Sequence, residues 1–301
     1  MNWFWFAIIA LLCWSGSDFF SKIGCRDAKD KYSHLKMVMA VGLVMGVHAL
    51  VEIIGGVEIS FSIVLKYLPV SLLYILSMAM GYIGLRYIEL SISSPICNAS
   101  GALVAIISII SGTADKMEAA QYVAIALACI GVIGLGFVEA NEDQELRAKR
   151  QEASNYKYAK SWLALALPIA YCLLDAAGTF ADDLVLETLN EDSANVAYEL
   201  TFFAAGVFSF IYTVIIKRQK LVPKMEAPKY VGALFETAGQ LAYIYALGSG
   251  ESALAAPIIS SYCMASVLWS RIFLKEKLSW KHYACILVTF AGIVIMGIYD
   301  M

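Results

Sequence analysis

The chain reads as an all-α integral membrane protein with ten transmembrane helices arranged as two inverted five-helix repeats. Three observations predict this: its composition, the spacing of its apolar runs, and a pattern that occurs twice. Of its 301 residues, 60% are hydrophobic and 16% charged, with a mean hydropathy of +0.70. Soluble domains run to about 45–50% apolar and about 25% charged, so this composition belongs in lipid. Apolar runs fall near 3–21, 35–54, 68–88, 94–112, 119–138, 161–181, 195–216, 230–248, 254–273 and 281–299. Each approaches the ~20 residues a helix needs to cross the hydrocarbon. None alternates as barrel strands do, and lipid tolerates no unpaired backbone, so a helical bundle follows.

The third observation is a duplication. "YIELSISSPIC" at 87–97 and "SGESALAAPII" at 249–259 each place a glutamate six residues before a proline that opens an apolar run, which sets Glu89 on Glu251 and Pro95 on Pro257. After a one-residue slip, residues 116–136 lie on 277–297, matching Lys116 with Lys277, Tyr122 with Tyr283, Gly131 with Gly292 and Gly136 with Gly297. Trp3 falls on Trp162 and Cys13 on Cys172. Matches that recur at nearly the same offset along the chain mark a repeated unit. Five helices per unit is an odd number, so the second copy enters the bilayer from the opposite side, the architecture of inverted-repeat transporters. The expected division is 1–138, a charged linker at 139–160, and 161–301. A second polar stretch, 182–195, is expected to be a loop.

The unit resembles the EamA-type domain of the drug/metabolite transporter superfamily, in two tandem copies that cover the whole chain. The resemblance rests on "CWSGSDFFSK" (13–22), "SPICNASGALVAIIS" (94–108), "APIISSYCMASVLWSR" (256–271) and "LKEKLSWKHYACILVTFAGIVIMG" (274–297). The last of these, with Glu276 ahead of a glycine-rich helix, is the most specific; the first copy keeps Lys116 but lacks the glutamate. The resemblance implies a secondary transporter, more commonly an exporter, of small organic solutes, metabolites or drugs. It fixes no substrate.

Charge sets the orientation. Of the 22 lysines and arginines, 20 lie in or beside loops one, three, five, seven and nine, leaving Lys66 and Lys116 on the other face. By the positive-inside rule the odd-numbered loops face the cytoplasm of a multi-pass plasma-membrane protein, and both termini face outward. The resemblance implies the opposite sidedness.

Ionisable groups at membrane depth are costly and mark functional sites. Asp18 lies well inside the first run, one turn beyond Trp14 on the same face, and the resemblance places this stretch at a central cavity, although Ser15 is inserted before Gly16. Asp175 brings a carboxyl to a similar depth in the sixth run. Glu236 is the deepest carboxylate, with Gln240 one turn on, and Tyr74 holds the aligned position in the third run. A glutamate there is protonated, paired or facing water, which makes it the first candidate for a solute cation or a coupling proton. Glu199, about a turn and a half into the seventh run, lies either at the site or at the interface. Pro95 and Pro257 read as helix-opening residues. Just beyond them, Asn98 and Ser260 are repeat-equivalent and Tyr262 follows, and in the family these starts approach the bundle centre. Each polar group also has a plainer reading, as a helix-to-helix hydrogen bond or a small residue for close packing. Glu89 and Glu251 read as capping or solvated groups, and His48 with Glu52 as a hydrated pair.

Other matches fail on context. "NAS" at 98–100 lies within a span, and "GLVMG" (42–46) and "GVIGLG" (131–136) read as packing faces, not phosphate loops. Six of the seven cysteines lie in apolar runs as packing residues, with Cys25 placed in a loop; the three histidines are scattered. No cofactor, metal or nucleic acid is expected, and the start "MNWFWFAIIALLCW" lacks the features of a cleaved leader. The partners expected are a small-molecule solute, protons as the coupling ion and the bilayer, with the chain acting as a monomer or weak homodimer. The alternative class is a membrane enzyme or lipid-handling protein. A reporter fused after Met301 that is active only in the cytoplasm is expected to be silent; activity there would overturn the charge-based orientation.

Overall fold

The computed structural model describes residues 2–25, 30–85, 90–111, 117–141, 163–248, 252–273 and 278–299. Glu89, Glu251, Lys116, Glu276, Lys277 and most of the 139–160 linker lie outside them. The helices are α1 (Trp3–Cys25), α2 (Ser33–Ile54), α3 (Phe61–Gly84), α4 (Leu90–Asn98), α5 (Ser100–Ser111), α6 (Ala119–Ala140), α7 (Leu163–Leu186), α8 (Glu191–Phe210), α9 (Pro223–Gly248), α10 (Ser252–Ser260), α11 (Tyr262–Phe273) and α12 (Trp280–Tyr299). A π-helical segment, Ile211–Ile216, extends α8. No strand occurs among the described residues.

Eight helical stretches among those residues are long and apolar enough to cross a membrane. Outward side chains such as Leu50, Ile110 and Leu287 are 57%, 80% and 67% exposed, which suits a lipid-facing surface and no aqueous one. This is an all-α integral membrane protein. Two further helices, α7 and α9, have spanning lengths of 24 and 26 residues but carry more charge. Polar helices of that length have a place in a bilayer when apolar neighbours surround them.

Three boundaries differ from the sequence expectation. The helix through Asp175 runs on to Leu186, so Asp182 and Asp183 lie in its last turns and not in a loop. Hydropathy ends the run at the two aspartates, while the backbone continues because their side chains find partners. Cys25 ends α1 and is buried instead of lying in a loop. Finally, Pro95 and Pro257 do not open their helices. Each lies inside a short first segment, α4 or α10, and the helix breaks afterwards, at Ala99 and at Ser261.

Competing side-chain hydrogen bonds account for the breaks. Asn98 Nδ2 donates to Ser94 O at 2.7 Å, and Ser261 Oγ donates to Pro257 O at 2.7 Å, each taking the carbonyl four residues back. The backbone tightens in response: Ala99 N donates to Ile96 O at 3.3 Å and Ala102 N to Ala99 O at 3.1 Å. In the second half Ser261 N donates to Ile258 O and Met264 N to Ser261 O, at 3.1 and 3.0 Å. Two helix interruptions thus stand 162 residues apart in the chain.

Packing runs between the halves. The main seams are α1 on α9, α3 on α7, α2 on α8 and α6 on α12, with α2 on α9 answered by α3 on α8, and α1 on α11 by α5 on α7. Lipid supplies no hydrophobic drive between helices, so close contact depends on small residues. Gly131 and Gly292 show this reciprocally. A Cβ at Gly292 would sit 2.6 Å from Ala124 O and 2.9 Å from Ala128 N; one at Gly131 would sit 2.8 Å from both Cys285 O and Thr289 N. At the α2 and α8 crossing, a Cβ on Gly42 would be 2.7 Å from Phe202 O and 2.8 Å from the Cα of Gly206.

Those neighbours are backbone and cannot swing aside. Gly292→Ala is therefore expected to lower the melting temperature in detergent, in line with the ~1–3 kcal/mol that overpacking costs. Gly84→Ala, whose Cβ would meet nothing nearer than 3.8 Å, should leave it unchanged or raise it, since alanine is the better helix former. Equal melting temperatures for wild type and Gly292→Ala would refute the close crossing.

Candidate functional site

A cavity of about 80 Å³ lies in the middle of the bundle, between α1, α3, α4, α5, α7, α8, α9, α10 and α11. At ~10–15 Å³ per water on this measure, it has room for a few waters or a small organic group. Glycines set its walls. A Cβ on Gly239 of α9 would lie 2.4 Å from the Trp14 ring, and one on Gly178 of α7 would lie 2.8 Å from Tyr74. These two rings therefore seat against glycines of α9 and α7 while lining the cavity.

Of the ten residues singled out from the sequence, nine line this space: Trp14, Asp18, Tyr74, Asn98, Asp175, Glu236, Gln240, Ser260 and Tyr262. Glu199 does not. It lies in the seam between α2 and α8, 0% exposed, where its carboxyl takes His48 Nδ1 at 2.9 Å and Asn195 Nδ2 at 3.1 Å. The histidine supplies a partner from another helix, which is how a carboxyl outside the cavity is accommodated. His48 also approaches Glu52 at 3.8 Å, with both side chains 28% exposed.

Three carboxyls converge on the cavity from three helices, and each is met by hydroxyls. Asp18 Oδ2 accepts from Ser94 Oγ at 2.6 Å and from Ser266 Oγ at 3.3 Å, linking α1 to α4 and α11. Asn98 Nδ2 extends this chain by donating to Ser94 Oγ at 3.2 Å. Glu236 Oε2 accepts from Ser17 Oγ at 2.7 Å, and the Ser100 hydroxyl stands close to Asp175. Among the described residues none of the three forms an ion pair. Lys22 stands near enough to act on Asp18 electrostatically, but its Nζ donates to Leu85 O at 3.1 Å.

Aromatic rings close the rest. Trp14 lies between Tyr243, 5.1 Å away at 35°, and Tyr262, 6.0 Å away at 70°. Three buried donors on the lining make no hydrogen bond of ordinary geometry: Trp14 Nε1, Tyr82 OH and Gln240 Nε2. Trp14 is still close enough to bear on the Glu236 carboxyl. Buried donors left open are available to a ligand's acceptors or to water.

The lining includes residues that sequence reasoning passed over: Ser17, Ser94, Tyr171, Thr179 and Tyr243 among them. Tyr171 precedes Asp175 by four, a helical spacing that could have flagged it. Ser17 and Ser94 carry no such signal, because serine in a membrane helix is as common a packing residue as a ligand.

The lining is longer at one end. Ser21, Leu85 and Ser93, all toward the odd-loop face, belong to it, whereas Phe180, Leu247 and Ala255, toward the even-loop face, do not. Beyond it on the odd-loop face stands a buried ionic cluster. Lys36 Nζ meets Asp30 at 2.9 Å and Glu226 at 3.3 Å, and Lys229 meets Glu226 at 2.9 Å.

Comparison with known proteins agrees with this fold. A crystal structure titled only "Crystal structure of protein" superposes with a TM-score of 0.67 at 12% identity, covering 99% of this chain and 97% of that one. No curated protein matches the chain. Residues 162–298 match the model of the EamA-like transporter family, whose members are transporters of small solutes. By that match the second half of the chain is similar to the EamA-like transporters, and the fold of the whole is that of an all-helical membrane protein.

Proposed function

We propose that this protein is a secondary transporter that moves small cationic or zwitterionic solutes, such as amines, amino acids or amphiphilic drugs, by alternating access around the central cavity. The observation that carries the reading is the convergence of Asp18, Asp175 and Glu236 on one cavity without an ion pair among the described residues. Carboxyls that form no ion pair are open to a cation brought by a solute. Trp14, Tyr243 and Tyr262 bring aromatic rings to the same cavity, and the open donors of Trp14, Tyr82 and Gln240 suit an acceptor such as a carboxylate.

The working unit is two inverted repeats, 1–138 and 161–301, joined by the charged linker 139–160. The paired seams and the equivalent helix breaks support that division, and rocking of one repeat against the other would expose the cavity to each side in turn. Export is the direction proposed, with odd loops in the cytoplasm of a plasma-membrane protein and a functional monomer or weak homodimer. Glu236 is the group at which solute cation and proton compete. Binding then weakens as pH falls, because protonation removes the charge that holds the solute.

A thermal-shift screen of the purified protein against amino acids, polyamines, nucleosides, sugars and quaternary ammonium compounds tests this, since a ligand of the folded state raises the melting temperature. The hits expected are cationic or zwitterionic. Losing one charge-assisted contact of ~1.5–3 kcal/mol should weaken them about 10- to 100-fold in Glu236→Gln. Hits confined to neutral sugars and indifferent to that substitution would overturn the charged-cavity reading. With a solute in hand, uptake into proteoliposomes should lose its pH dependence in Glu236→Gln, and an unchanged pH profile would remove the proton from the mechanism.

A further inference from the structure

Toward the even-loop face the cavity ends at a cluster of hydroxyls built around a carboxyl that the transport reading does not use. Asp182 of α7 is 0% exposed and lies outside the lining. Its Oδ1 accepts from Tyr67 OH at 2.7 Å and its Oδ2 from Tyr74 OH at 3.3 Å. Tyr74 OH also meets Thr179 Oγ1 at 3.3 Å and shares a hydrogen bond with Tyr243 OH, which in turn donates to Thr179 Oγ1 at 3.2 Å. Tyr74, Thr179 and Tyr243 line the cavity, so the cluster is a continuous path from the cavity to the buried acid.

The groups around Asp182 are almost all neutral hydroxyls. From α3 come Tyr67 and Tyr74, from α9 Tyr243, and from α8 Tyr198, whose ring meets that of Tyr74 at 5.9 Å. On α7 itself stand Thr179, Asp175 toward the cavity and Asp183 next in the chain. The Asp183 carboxyl accepts from Ser252 Oγ of α10 at 3.1 Å, and Ser252 in turn meets Ser108 of α5 at 3.3 Å. Among the described residues no lysine, arginine or histidine pairs with Asp182.

Counting protons shows what is missing. Five contacts join Asp182, Tyr67, Tyr74, Thr179 and Tyr243, and the four hydroxyls bring four protons. With an ionised carboxylate one contact goes without a proton. A proton on Oδ2 completes the set: the acid donates to Tyr74, Tyr74 to Tyr243, Tyr243 to Thr179, Thr179 back to Tyr74, and Tyr67 to Oδ1. Every contact then has one donor and one acceptor, and the cooperative ring rigidifies the seam between α3, α7 and α9.

We propose that Asp182 is a proton-binding site: it takes one proton from hydronium at the even-loop face, leaving water, and thereby closes the hydroxyl ring that seals the cavity on that side. When α3 and α7 part, the ring opens and the proton returns to water. Only the use of this proton in moving a solute rests on the transport reading; the site itself does not.

Infrared difference spectra of the purified full-length protein between acidic and alkaline buffers test the proposal, because a protonated carboxyl and a carboxylate absorb in separate bands. A titrating carboxyl band is expected that is lost in Asp182→Asn, survives in Glu236→Gln, and shifts toward that of a freer acid in Tyr74→Phe. Carboxyl bands in Asp182→Asn identical to wild type throughout would overturn it. If Asp182→Asn fails to fold, Tyr74→Phe carries the test, and an unshifted band overturns the ring. A band present in a protein that binds no solute would leave the proton site standing and remove the transport reading; solute binding without the band would do the reverse.

Discussion

Hydrocarbon offers no water, so every carboxyl and every interrupted turn of backbone in this bundle must find its partner on another helix or in an enclosed cavity. Most of the architecture follows from this. Glu199 is met by His48, Asp18 by Ser94 and Ser266, Glu236 by Ser17, and Asp182 by two tyrosines. All of these contacts cross from one helix to another. They tie α2 to α8, α1 to α4, α11 and α9, and α7 to α3, so satisfying the polar groups also helps determine which helices are neighbours.

The same medium removes the hydrophobic drive between helices, and close fit takes its place. Glycine lets backbone lie on backbone where α6 crosses α12 and where α2 crosses α8. In the centre, glycines receive rings instead, and the position of Trp14 over Gly239 and of Tyr74 over Gly178 gives the cavity its aromatic edges. Side-chain bonds from Asn98 and Ser261 interrupt two helices in mid-membrane, and Asn98, Ser260 and Tyr262 at those interruptions line the cavity.

Much of this was legible in the chain. Deep polar residues were conspicuous against an apolar background, and Asp18, Asp175 and Glu236 stood out for the physical reason that they are expensive there. Asp182 did not, because a hydropathy window closes when two aspartates arrive together, and the phenols that accommodate one of them come from Tyr67 and Tyr74, more than a hundred residues earlier. Glu199 was conspicuous for the same reason as Glu236, and nothing in its own neighbourhood distinguished a group facing a cavity from one facing a histidine on α2. The proline positions were visible but their consequence was not, since the helix breaks arise from side chains beyond them competing for carbonyls.

By itself, then, the sequence determined that the protein is a bundle of membrane helices, where most of them begin and end, and which polar residues stand at membrane depth. Each of these depends on composition along the chain, and transfer from water to lipid is summed residue by residue. Only the tertiary structure decided which polar groups share a cavity, which are paired away in a seam, and where a helix breaks. Those outcomes depend on which atoms meet across a gap of a few ångströms, and in this protein many such atoms, Glu236 and Ser17, Glu199 and His48, Asp182 and Tyr67 among them, come from opposite halves of the chain.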